Sequence, residues 1–126
     1  MSQNPATHLS AAADSIRAFN HTSRSTGTDW EFPGHAYDAI GNLSYLVGML
    51  GQAVEQATVP VTHAYKEGRL LIDGGGSENA KVAEMREARQ EAVAAAAALT
   101  AAVQRMHNAV SPMGMDTTGM DFDDED

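Results

Sequence analysis

The chain contains no cysteine, which excludes disulfides, thiolate zinc centres and a cysteine nucleophile. Basic residues are scarce: eight Lys and Arg stand against seventeen Asp and Glu in 126 residues, a formal charge of −9. Broad electrostatic binding to nucleic acid or to an anionic membrane is therefore not expected. No apolar run approaches the ~20 residues that a membrane-spanning helix needs. The longest uncharged apolar stretch, Val93 to Val103, is mostly alanine. No basic stretch backed by an apolar run stands at the N-terminus, which predicts no signal peptide and a cytoplasmic protein, with signal-independent export left open. No period-two alternation marks a strand, and no fixed-period repeat is present.

The groupings that carry chemistry are missing as well. There is no Gly-x-Ser-x-Gly elbow, and Gly74-Gly75-Gly76 is not followed by the Gly-Lys-Ser/Thr of a phosphate loop. The five histidines (His8, His21, His35, His63 and His107) form no i, i+4 pair. His35 and Asp38 lie one turn apart, and His107 could join them across a hairpin, but two ligands on one helix do not make a metal site. The expectation is no enzyme, no cofactor, no metal and no small-molecule substrate.

What remains is helical periodicity, in a length that suits one small domain. Leu9, Ala12, Ala13, Ile16 and Phe19 predict a helix over about 7–21, with Thr7 or Ser10 as its cap. Pro33 suits the first turn of a second helix, since its missing N–H costs nothing there. Tyr37, Ile40, Leu43, Val47, Leu50, Val54, Ala57, Val61 and Ala64 continue that helix to about residue 67 at spacings of three and four. Pro60 predicts a kink or break near 56–60. Ser77 caps a third helix over 78–110, closed by Ser111-Pro112.

Charge distribution orients these elements. Residues 36–54 carry only Asp38 and residues 92–110 only Arg105, whereas residues 78–91 carry seven charges. Folding about the Gly-rich turn sets the two charge-poor halves side by side. The expected fold is all-α: a long antiparallel hairpin with the short N-terminal helix packed at its open end, forming a three-helix bundle over residues 1–111. Residues 112–126 hold six of the acids and no base, leaving −3 of the −9 for residues 1–111. They read as a disordered acidic tail.

Three surfaces stand out. Gly41, Ser44, Gly48 and Gly51 form a small-residue stripe, read as a site of close packing against the alanines of the third helix. Each mid-helix glycine costs roughly 0.5–1 kcal/mol relative to alanine, which close packing would offset. Leu43, Leu46 and Leu50 lie on a second apolar stripe, available to the first helix or to a partner. Trp30, Phe32 and Tyr37 cluster around Pro33-Gly34, either as a plug on the open end or as a partner hot spot. In the tail, Asp121, Phe122, Asp123 and Asp124 set an aromatic among acids, as in peptides that dock into basic grooves, although solubilisation alone accounts for such a tail.

The stretch from Ser15-Ile16-Arg17 through Phe32-Pro33-Gly34-x-x-Tyr37-Asp38 to Gly41-Asn42-Leu43, with the Ala-rich helix behind it, resembles small Ala-rich all-helical proteins of unknown function from high-GC Gram-positive bacteria. That resemblance spans about residues 11–110 and implies no activity. The two long helices are also similar in architecture to ESX-type secreted hairpins, although here the sole tryptophan, Trp30, precedes the hairpin instead of marking its turn. The sequence thus predicts a non-enzymatic helical protein whose partner is itself or another helical chain, with no direct nucleic-acid contact. The alternatives are a secreted or virion-associated hairpin acting with a partner chain, and an acidic nucleic-acid mimic working through the tail.

Overall fold

A computed structural model describes residues 4–120. Among them the chain is all-α, with helices α1 (Ala6–Thr22), α2 (Pro33–Val47), α3 (Leu50–Ala57), α4 (Val59–Lys66) and α5 (Glu78–Val110). An isolated bridge between Gly27 and Trp30 is the one extended pairing among the described residues. No helix of the described residues is long and apolar enough to cross a membrane. The chain divides into two compact units, Met1–Ala36 with Gly114–Asp126, and Tyr37–Met113. Residues 111–113, just after α5, stay with the hairpin, and the residues from Gly114 on group with the N-terminal segment.

In the first unit, α1 follows Pro5 at its N-cap, and Asn4 Oδ1 accepts the Ala6 N–H at 2.9 Å. Thr7, expected as a cap, instead donates its hydroxyl to the Asn4 carbonyl. All seventeen residues of α1 are exposed. The helix is followed by a tight turn in which Gly27 and Trp30 exchange both backbone hydrogen bonds, with Asp29 at φ 63°. Aspartate tolerates that left-handed conformation better than most residues.

The second unit is an antiparallel hairpin. Ser77 Oγ accepts the Ala80 N–H and starts α5. The reversal itself runs through Gly74, Gly75 and Gly76, all at positive φ (81°, 84° and 113°), where any Cβ would be strained. Contacts then step back along one arm as they step forward along the other: Tyr65 with Arg86, Thr58 with Arg89, Gly51 with Val93, Val47 with Thr100, Ser44 with Gln104 and Tyr37 with His107. Among the described residues the buried hydrophobic core consists of Val47, Val82 and Val103, with Val82 2% exposed. Val82 lies in the charge-rich, turn-proximal part of α5, so that part has packing of its own.

The arm opposite α5 is interrupted twice. The break at Thr58 falls inside the expected 56–60 window. Thr58 donates its hydroxyl to the Glu55 carbonyl, and α4 restarts with Pro60 in its first turn, where the ring is harmless. The second break, at Gly48–Met49, was not foreseen. Here Met49 N–H bonds Leu46 O, tightening the turn, and a Cβ on Gly48 would lie 3.3 Å from the Ser44 carbonyl.

Val103→Ala should therefore destabilise the hairpin by about 1.5–3 kcal/mol in chemical denaturation, while Leu99→Ala, 46% exposed, should cost under about 0.5 kcal/mol. Equal costs at the two positions would contradict this placement of the core.

Candidate functional site

Two grooves and one aromatic clip contain the side chains most able to bind something. In the first unit, Trp30 is half-buried, donates its indole N–H to the Ser23 carbonyl at 3.1 Å, and presents its ring to the edge of Phe19 at 5.7 Å. Phe32 is half-buried against His35, with ring centroids 5.6 Å apart. His35 itself starts α2: its Nδ1 accepts the N–H groups of both Glu31 and Phe32 at 3.1 Å. A side chain in the first turn reaching back to the residue that precedes the helix is the capping-box device, usually performed by Glu or Gln. This role explains a histidine here without invoking a ligand. Met115 joins Trp30, Phe32 and Pro33 around a shallow groove of about 340 Å³. The described part of the acidic tail is thus not free of packing, although it contains neither helix nor strand. Just beyond, the Asp116 carboxylate accepts the Thr118 N–H at 3.0 Å. That bond, and then the Thr118 hydroxyl, hold its pKa below the usual carboxylate range.

In the second unit, Tyr37 stacks flat on His107, with centroids 4.3 Å apart and planes 7° from parallel. Gly41 makes this possible, since a Cβ there would come within 3.1 Å of His107 Nε2. The expected small-residue stripe is divided by the fold. Gly41 meets an imidazole, Ser44 donates to Gln104 Oε1 at 3.0 Å, Gly51 is in ordinary contact with Val93, and Gly48 sits at the helix break. Across the hairpin the partners are His107, Gln104 and Val93, while Ala94, Ala95, Ala97, Ala98 and Ala101 are exposed. The register places residues bigger than alanine opposite Gly41 and Gly51.

Of the Leu43, Leu46 and Leu50 stripe, Leu43 is exposed and the other two are half-buried. Trp30 and Phe32 belong to the first unit and Tyr37 to the second. Asp121, Phe122, Asp123 and Asp124 lie outside the described residues. No group of three His, Asp or Glu side chains among the described residues could hold a metal ion, and His35 and His107 are each engaged as above.

One feature escaped the sequence reading. Along the α3–α4 side of the hairpin runs an open groove of about 790 Å³, floored by Val59 and Val93 and edged by His63, Lys66, Arg86 and Arg89, with Glu55 as its acid. The cations come from separate helices, so no local pattern announces them. Arg89 donates Nη1–H to Thr58 Oγ1 at 2.7 Å, and Arg86 lies over the Tyr65 ring at 5.6 Å. Tyr65 in turn donates its hydroxyl to Asn79 Oδ1. No ion pair among the described residues involves Lys66, Arg86 or Arg89.

No family model matches the chain, and neither a curated protein nor a solved structure is found to be similar to it.

Two outcomes test this geometry. Gly41→Leu should expel His107 from the face of Tyr37 and destabilise the hairpin by about 1–3 kcal/mol, seen as loss of the ring-current shift on the His107 protons. Near Asp116 the turn favours the deprotonated carboxylate. Its contribution is therefore complete above the ordinary Asp pKa and lost as pH falls through the lowered one, so the Thr118 amide resonance should titrate below the ordinary aspartate range.

Proposed function

We propose that this chain is a non-enzymatic helical interaction protein that associates with a second copy of itself. The observation that carries this reading is α1: Leu9, Ile16 and Phe19 line one side of a helix whose seventeen residues are all exposed. An isolated helix of that length is marginal in water, because most helical stability in proteins comes from packing of an amphipathic face. A face of this kind calls for a cover, and an identical helix from a second copy supplies matching apolar surface at the same register.

The hairpin offers a similar resource. Leu43, Met49, Leu99 and Met106 are exposed, while among the described residues only Val47, Val82 and Val103 are buried hydrophobics. Association would add apolar burial to a core that has little of its own, at roughly 25 cal/mol per Å². The chemistry-bearing residues are committed to structural tasks, His35 as a helix cap and His107 as a stacking partner, which supports a binding role over a catalytic one.

Native mass by light scattering across a concentration series tests this. A dimer or larger species is expected, with Ile16→Glu weakening association at least about tenfold because it buries a charge on the α1 face. A chain that stays monomeric at every concentration, or an Ile16→Glu variant of unchanged mass, would sink the proposal.

A further inference from the structure

From the groove between α3–α4 and α5 we infer a second binding site, for an acidic peptide with an embedded aromatic, and its occupant as the C-terminal segment Asp121–Asp126 of another copy. This rests on the reading that the chain self-associates, and names a second point of contact.

The argument begins with charge. On a chain of net −9, three of its eight Lys and Arg residues edge one groove, together with His63, against a single acid, Glu55. Elsewhere among the described residues Arg17 and Lys81 find carboxylates, Asp14 and Glu84 respectively, but Lys66, Arg86 and Arg89 find none. Their positions are held from the protein side. Thr58 takes one N–H of Arg89, and the Tyr65 ring lies beneath Arg86, which leaves the remaining guanidinium donors free to meet oxygen anions. A guanidinium pre-positioned in this way loses less freedom on binding than a mobile one.

The groove also has an apolar floor. Val59 is 58% exposed and lies beside Val93 between the cations. Cations around an apolar strip are the complement of acids around an apolar side chain. The chain carries that sequence in Met120-Asp121-Phe122-Asp123-Asp124-Glu125-Asp126. Phe122 would cover Val59 and Val93, and the flanking carboxylates would meet Lys66, Arg86 and Arg89.

Chain length favours a second copy over the same one. From Arg89 to the end of α5 at Val110 the helix rises about 32 Å. Residues 111–120 would have to run straight back along it, yet they are shortened by turns closed through Met113 N–H to Val110 O and Met120 N–H to Thr117 O. Counted on to Phe122, the segment spans a little over 30 Å, enough to bring that ring to Val93 about 26 Å back along α5 only when nearly straight. A tail arriving from another copy can dock without being pulled straight, and the self-association read above supplies that copy. The contact would join unlike surfaces, tail to groove.

The test uses full-length protein and a fluorescent peptide of residues 116–126, read by anisotropy at low salt. Saturable binding is expected, about tenfold weaker with Lys66→Glu or with Phe122→Ala in the peptide, and strongly reduced in 0.5 M salt, where the screening length is a few ångströms. Circular dichroism of Lys66→Glu confirms that the exposed substitution leaves the helices intact. No binding, or a scrambled peptide of the same composition binding equally well, would overturn the site. For the occupant, full-length protein with D121N, D123N, D124N, E125Q and D126N should show weaker concentration-dependent association by light scattering. An association constant unchanged by these five substitutions would rule out the tail of a second copy. Because Ile16→Glu leaves the groove untouched, it should retain peptide binding even where it abolishes helix pairing, so the two proposals fail separately.

Discussion

The hairpin of residues 37–113 depends on register. Three glycines at positive φ reverse the chain, and from that point each residue on the α2–α4 side has its opposite number on α5 decided. Val47 and Val103 are buried because the register brings their surroundings together, and Thr100 adds a tie by donating to the Val47 carbonyl while also bonding Ala96 O. A slip of one residue would rotate the seam by about 100° and move Val103 out of it. The core is small, so this specification has to come from several modest contacts instead of one large apolar cluster.

The two breaks in the arm opposite α5 fit that picture. A straight helix drifts relative to a partner over many turns, and short interruptions allow local reorientation. At Thr58 the side chain bonds Glu55 O and receives Arg89 Nη1–H, so the break is also a cross-link. At Gly48 the missing Cβ relieves crowding against Ser44 O. These are structural uses of residues that, in the linear sequence, suggest flexibility or a packing stripe.

The unused surface is of two kinds. One is apolar: the stripe of α1 and the flanks of the hairpin. The other is cationic: Lys66, Arg86 and Arg89, none of them in an ion pair among the described residues, around a groove with Glu55 as its acid. Both are costs for an isolated chain, the first in exposed hydrocarbon and the second in unmatched charge. Both become assets in an assembly, where apolar contact supplies affinity and charge complementarity supplies orientation and rate.

The all-α class, the Gly-rich reversal and the Ser77 cap were legible in the sequence, because each depends on local periodicity or on one residue's backbone preference. Pro60 likewise pointed to the neighbourhood of the Thr58 break. The role of His35 as a helix cap was not legible, since His is rarely used there and the signal lies in a ring orientation. Nor was the break at Gly48, where the chain tightens through Met49 N–H to Leu46 O with no Cβ to crowd Ser44 O. The partners of Gly41 and Gly51 followed from register, which brings His107 and Val93 to them and leaves five alanines exposed. The basic groove was hidden because Lys66 and Arg86 are twenty residues apart and separated by the turn. By itself the sequence determined where helices start, stop and reverse. Only the tertiary structure decided which side chains meet, because that depends on the rotation and register of one helix against another, quantities that no local pattern encodes.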